Sequence, residues 1–263
     1  MAKFTHYLVT RFNVPVESWH HDQSGNITRD ENWFRHRLGL FQQYCVASVF
    51  RQSVKNFQWV IYCDRATPAE QLKSIEVSVQ DVPFVVIRFV ENLHQLVVDF
   101  KMFMSQSGTS LVISSRLDND DAIGHDFIKL IQEVAEGKEN AAINFDGGFF
   151  YDHDYKVMTC LTSATTNPFI SLVEKFTSPG SLVTTLGFHH YEVPGGFEVI
   201  HIHHGYHRLR IIHSRNVRSK QKGRPIFNTD HQALNAFNKN DYSISIFQTL
   251  LYIVKRKWRM WTS

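Results

Sequence analysis

Four short apolar runs, each followed by a stretch with helical periodicity, fill the first half of this 263-residue chain. No other feature constrains the fold as much. His6 to Val9, Phe57 to Cys63, Pro83 to Val90 and Ser110 to Ser115 read as strands. Asn32 to Phe50 puts Phe34, Leu38, Phe41, Cys45 and Val49 on one helical face. Pro68 suits the first turn of a helix reaching about Val77, and Leu96 to Gln106 and Ala122 to Val134 are helix-like. Alternation of this kind predicts an α/β fold with a mostly parallel sheet covered by helices. Such sheets take their ligands outside the carboxyl ends of the strands. Asn13, Asp64 and the run Asp118-Asn119-Asp120-Asp121 all fall at predicted strand ends.

The acidic run carries the most chemistry. Mg²⁺ and Mn²⁺ prefer oxygen ligands and are often held by one or two carboxylates completed by substrate phosphates. Asp118 and Asp120 have the spacing Asp-x-Asp, which lets one carboxylate take a metal while the other meets metal, water or a ribose hydroxyl. The same residues also suit a solvated turn capping the next helix. Like charges this close cost energy unless a cation compensates them.

The second half has a different pattern. Ala141 to Tyr151 and Tyr155 to Leu161 flank Asp152-His153-Asp154 and predict a β-hairpin with a plain turn at its tip. Asn167-Pro168 opens a predicted short helix within Thr166 to Phe176. Phe197 to Ile202 and Leu209 to Ile212 are further strands, and His231 to Phe237 a further helix. Histidines crowd this half. His201-Ile202-His203 would put both rings on one strand face, where a zinc site is conceivable, but no His-Glu-x-x-His pattern supports it. His213, at the end of a strand, is the histidine singled out for function. The segment from Arg215 to Arg224 is basic. It is either a solvated loop or a loop that closes over a diphosphate leaving group, with Arg215 and Lys220 as the cations.

Residues 1–240 read as one catalytic-type domain and 241–263 as a basic amphipathic helix. In that helix Phe247, Leu250, Leu251, Val254, Trp258 and Trp261 recur at helical spacing beside Lys255, Arg256, Lys257 and Arg259. The pattern fits a terminal helix packed on the core or an interfacial helix on anionic lipid. A net charge of +3 and the absence of basic–aromatic interleaving argue against nucleic acid as a partner. Three unpaired cysteines (Cys45, Cys63 and Cys160) point to a reducing compartment, and no signal-type run opens the chain. The expectation is a cytoplasmic protein, with peripheral contact at the inner membrane face through the terminal helix.

Several segments together resemble a known family. They are Val9-Thr10-Arg11-Phe12-Asn13, Phe41 to Gln52, Asn56 to Asp64, Ser115-Arg116-Leu117-Asp118-Asn119-Asp120-Asp121-Ala122-Ile123, Asn167 to Glu174 and Ile212-His213-Ser214-Arg215-Asn216-Val217. In this order they resemble the bacterial "putative rhamnosyltransferase" family, glycosyltransferases with an expected GT-A fold. The resemblance implies a nucleotide-sugar donor, a glycan or lipid-linked hydroxyl acceptor, and Mn²⁺ or Mg²⁺. It implies Asp118 and Asp120 as the metal-binding pair and His213 as the late metal ligand. It also implies Thr10, Arg11 and Asp64 near the nucleotide, and Arg116 beside the donor. Asn13 and Asp121 join the donor group by their place at strand ends. Asp230, ahead of the predicted helix, is the candidate base for inverting transfer; its alternative is an ordinary N-cap. Two other readings stay open at this stage: a metal-dependent phosphohydrolase using the Asp and His residues, and a non-catalytic sugar-binding module.

Overall fold

The computed structural model describes residues 4–217, 219–228, 232–238 and 241–261. The first half follows the predicted alternation. It runs β1 (Thr5–Arg11), α1 (Glu31–Leu40), a π-helical stretch (Phe41–Val46), α2 (Ala47–Phe50), β2 (Gln58–Asp64), α3 (Ala69–Val79), β3 (Val85–Val90), α4 (Leu93–Met104) and β4 (Leu111–Arg116). Side chains set the helix starts. Asp30 accepts a 2.6 Å hydrogen bond from Trp33 N at α1, and Asn92 accepts one of 2.9 Å from Gln95 N at α4. The second half adds β5 (Ala122–Ile123), α5 (Phe127–Val134), β6 (Asn140–Phe145), β7 (Gly147–Asp152), β8 (Val157–Thr162), β9 (Ser171–Lys175), β10 (Glu198–Ile202), β11 (Arg208–Ile212), β12 (Arg224–Ile226) and α6 (Ile246–Trp261).

Two sheets result. The larger has the order β10-β6-β9-β4-β1-β2-β3, and the smaller β12-β8-β7-β11-β5. β4, β1, β2 and β3 are mutually parallel, as the alternation requires. β9 is antiparallel to both β4 and β6, so the large sheet is mixed.

Several expectations need correction. Thr166 to Phe176 is not a helix: Asn167 fixes a turn by donating to Asn144 Oδ1 (2.6 Å) and Phe145 O (3.0 Å) and accepting from Phe169 N (3.0 Å), and β9 follows. Ser171 to Glu174 are buried, and a short run buried on both faces has no period that separates strand from helix. Ala141 to Tyr151 is not one strand. The chain leaves the large sheet after β6 and enters the small one at β7, with Asp146 at the crossing. A Cβ on Gly147 would lie 2.0 Å from Gly205 O, so only glycine passes there. The hairpin itself is real and pairs β7 with β8. Ala122 to Val134 begins as a strand against β11 and becomes helical only at Phe127. The helix expected over His231 to Phe237 is a 3₁₀ stretch, Gln232–Ala236; His231 lies outside the described residues.

The helix running from Glu31 to Phe50 joins the cores of the two sheets. Phe34, Phe41, Cys45 and Val49 enter the main core with Leu8, Trp59 and Ile113. Leu40 and Tyr44 enter the core of the small sheet, where Tyr44 stacks on Tyr242 at 5.8 Å.

His6 shows what burial does to a titratable group in the large sheet. Its Nε2 is 2.8 Å from Ser115 Oγ and its Nδ1 3.4 Å from Gln132 Nε2. Burial lowers its pKa to about 3. The unfolded chain therefore binds this proton first, near pH 6.5, and each pH unit between the two values is worth about 1.4 kcal/mol. Stability from this group is complete above pH 6.5 and is lost as pH falls toward 3. Urea unfolding across that range should show a steep acid loss in the native chain and a shallower one in His6→Asn.

Candidate functional site

The acidic run is held as a tight turn at the carboxyl end of β4. Leu117 N donates to Val9 O (3.0 Å), which ties the turn to β1, and Asp121 N donates to Asp118 O (3.1 Å), which closes it. Asn119 Nδ2 donates to Phe12 O (2.7 Å) and Asn119 Oδ1 accepts from Arg37 Nη1 (3.1 Å). Asp120 and Asp121 are buried. Arg116 meets the Asp118 carboxylate at 2.9 Å. Asp120 Oδ2 contacts Arg37 Nη1 directly and lies 3.0 Å from His213 Nε2 and 3.2 Å from Asn216 Nδ2. Asp121 Oδ1 accepts from Ile211 N (2.8 Å), which clamps β11 to the turn.

Their titration follows from these partners. Burial pushes all three carboxyls up. For Asp118 the guanidinium groups of Arg116 and Arg11 more than offset it, and for Asp120 Arg37 and His213 do; both are held below the usual carboxylate range. Asp121 has burial and the Asp120 charge acting together, and it stays well above that range.

His213 is buried beneath Asp120. His36 Nε2 sits 3.1 Å from its Nδ1, and Asn216 Oδ1 accepts from its backbone N–H (2.8 Å). That bond fixes the Asn216 amide, whose Nδ2 lies 2.9 Å from His213 Nε2. The ring nitrogen and the Asn216 amide thus converge on one oxygen, Asp120 Oδ2, which accepts from both when His213 carries its proton on Nε2. The Asp120 carboxylate suits Mn²⁺ or Mg²⁺, with the His213 imidazole a softer donor beside it. Among the described residues no group of three or more His, Cys, Asp or Glu side chains could hold a metal ion by itself, so substrate oxygens would have to complete the shell.

A cleft of about 1040 Å³ opens over the turn. Arg11, Asn13, Arg116, Asp118, Asp120, Asp121 and Lys220 line it. Arg11 lies over the Trp19 ring at 4.4 Å, and burial lowers its pKa to about 10. The other expected site residues lie elsewhere. Thr10 is in the core, where its hydroxyl accepts from Trp59 Nε1 (2.9 Å), because alternation along β1 turns it away from the cleft. Asp64 stands behind the lining: its N–H donates to Asn13 Oδ1 (2.9 Å) and its carboxylate meets Arg29 at 3.5 Å. Arg215 sits 3.8 Å from Asp30 and does not line the cleft. Asp230 lies outside the described residues. His201 and His203 do share a face, and their Nδ1 atoms both lie 2.7 Å from the buried Asp146 carboxylate.

Sequence reasoning missed Trp33, His36 and Arg37, a cluster on one face of α1 whose apolar neighbours mask it. It also missed Asn119 and Asn216, which sit inside quoted motifs without an assigned role, and Arg208 and Arg210, which alternate with core residues along β11.

The sequence matches the model of the family described as "Putative rhamnosyl transferase" over residues 5–225. The chain belongs to that family. Among curated proteins no sequence matches it. Solved structures similar to it include TarS of S. aureus, residues 1–349 (8% identity, 79% of this chain and 60% of that chain covered, TM-score 0.44). The same TarS fragment in complex with UDP gives 10% identity, 80% and 61% coverage and a TM-score of 0.45. HddC from Yersinia pseudotuberculosis gives 10%, 80% and 90%, with a TM-score of 0.33. The chain spans about three fifths of the length of the TarS fragment.

In this rhamnosyl transferase-family chain the Arg37–Asp120 pair is buried, and removing one partner of such a pair leaves an uncompensated charge. Arg37→Met should cost about 3–5 kcal/mol in urea unfolding. Arg37→Met/Asp120→Asn should recover a large part of that loss.

Proposed function

We propose that the protein transfers a hexose or deoxyhexose from a nucleotide-sugar to a hydroxyl of a glycan or lipid-linked glycan, with Mn²⁺ or Mg²⁺ at Asp120 and His213 and donor oxygens completing its shell, while Asp118 stays with Arg116. One observation carries this reading. Arg11, Arg29, Arg37 and Arg116 line a single cleft with Asp118, Asp120 and Asp121 at the carboxyl ends of the parallel strands β1 and β4. That charge pattern suits a diphosphate received at a carboxylate turn. Three buried nitrogens of cleft residues, Trp33 Nε1, Arg37 Nε and His190 Nε2, have no hydrogen-bond partner among the described residues. An oxygen-rich ligand supplies the acceptors that buried N–H groups require.

The residues divide the work. Arg11 and Arg116 meet the donor's phosphates at the ends of β1 and β4. Arg37 holds Asp120 ionised and aimed, and His36 fixes the ring of His213. Asp121 lines the cleft, and its bond to Ile211 N keeps β11 in place. When bound, the divalent cation neutralises the charge that grows on the leaving diphosphate. His190 has its pKa lowered to about 4, chiefly by burial, and so presents a neutral ring to the sugar.

α6 supports the lipid-linked acceptor. Ile246, Phe247, Leu250 and Val254 are each at least half exposed, and Lys255, Arg256, Lys257 and Arg259 follow them in the sequence. No helix among the described residues is long and apolar enough to cross a membrane. An exposed apolar stripe beside basic residues suits an anionic lipid surface. Co-sedimentation with phosphatidylglycerol vesicles should pull down the native chain and fail for Phe247→Glu/Leu250→Glu; equal sedimentation of both excludes this contact.

Thermal shift with UDP-, GDP-, dTDP- and CMP-sugars, each with and without Mn²⁺, tests the donor site. Binding at a hundred times Kd raises stability by about 2.7 kcal/mol. One nucleotide should shift the native chain in a metal-dependent way, and Asp120→Asn, measured against its own baseline, should lose the shift. If nothing shifts the native chain, the donor reading is wrong. A shift that persists without metal and in Asp120→Asn removes the metal from the mechanism.

A further inference from the structure

A second group of cations lines the cleft from β11 and the segment after it. Arg208 and Arg210 share one face of β11, while Leu209 and Ile211 fill the small-sheet core. Arg208 is buried, and its guanidinium donates to Phe145 O and Asp146 O, both at 3.0 Å. It lies across Gly148, its register partner on β7, where a Cβ would come within 2.5 Å of Arg208 Cγ. Gly147-Gly148 is therefore a seat for this side chain and not a phosphate loop.

The segment carrying Lys220 and Lys222 is pinned. Gln221 Nε2 donates to Phe150 O (3.1 Å), Val157 O (3.2 Å) and Thr159 Oγ1 (3.1 Å), and the Thr159 hydroxyl donates to Lys222 O. Gln23 Nε2 donates to Ser219 O at 3.0 Å from the other side. Gly223, at φ +94, passes so close to Cys160 O that a Cβ would lie 2.3 Å from it. Lys220 and Lys222 flank Gln221, and both line the cleft.

None of these four cations makes a close ion pair with a carboxylate among the described residues; Arg210 acts on the aspartates of the turn only through its charge. The three aspartates of the cleft are taken by Arg116, Arg37, His213 and Ile211 N. Asp146, whose backbone carbonyl Arg208 meets, has its carboxylate oxygens committed to His201, His203 and Asn144. In the proposed reading Arg11 and Arg116 already meet the donor diphosphate. Holding a buried arginine without a carboxylate is costly unless an anion repays it, and a one-signed fixed wall concentrates anions.

We propose that the acceptor glycan is itself anionic, bearing phosphate or carboxylate groups that Arg208, Arg210, Lys220 and Lys222 receive beside the donor. The inference rests on the glycosyltransferase reading of the cleft. Isothermal titration of the full chain tests it with two anionic probes, phosphorylated manno-oligosaccharide and oligogalacturonate, each against its neutral counterpart of equal length. At least one anionic probe should bind tenfold tighter than its neutral counterpart. Lys220→Gln/Lys222→Gln should weaken that binding at least fivefold, and Lys73→Gln/Lys129→Gln, which removes equal charge from α3 and α5, less than twofold. Nucleotide affinity of the first variant should fall by less than twofold. The proposal is overturned if neither anionic probe outbinds its neutral counterpart, if both double variants lose binding equally, or if nucleotide affinity falls as far as probe affinity. Because the titration needs no nucleotide, a failed donor site and a failed acceptor wall give separate results.

Discussion

Three carboxylates within four residues at the end of β4, Asp120 and Asp121 buried and Asp118 half-buried, are the constraint around which the site is assembled. Each could be buried only with its own compensation, and each compensation comes from a different part of the chain. Arg116 serves Asp118 from the same strand, Arg37 serves Asp120 from α1, and the backbone of β11 serves Asp121. The turn is therefore the point where the helix layer, the parallel half of the large sheet and the small sheet are bolted together. Chemistry and architecture share one set of interactions, so the elements cannot drift apart without exposing an unpaired charge.

The crossing from β6 to β7 is the second junction. Asp146 lies there fully buried, and its oxygens accept from Asn144 and lie against His201 and His203. Two glycines follow because the neighbouring backbone and Arg208 occupy the space that side chains would fill. The same few residues let the chain change sheets and place a cation in the cleft.

The parallel half of the fold was legible because period-2 and period-3.6 apolar patterns alternate there with clear breaks. Asp118 and Asp120 were legible as a site because a carboxylate pair after a strand needs compensation that local sequence does not supply. His213 stood out by its place at a strand end, and the structure sets it 3.0 Å from Asp120. The rest was hidden for physical reasons. β9 is buried on both faces and carries no period. Arg37 and His36 face the site from a helix whose apolar residues dominate its pattern. Thr10 next to Arg11 looked alike in a motif, yet strand alternation sends one to the core and the other to the cleft. Asp230 falls outside the described residues.

Gln221 and Gln23 anchor residues 219–223 from two sides, so the cations of this segment stand as a fixed wall. In the proposed reading a nucleotide would leave past a standing electric field, and the ions in the surrounding solution would tune that escape.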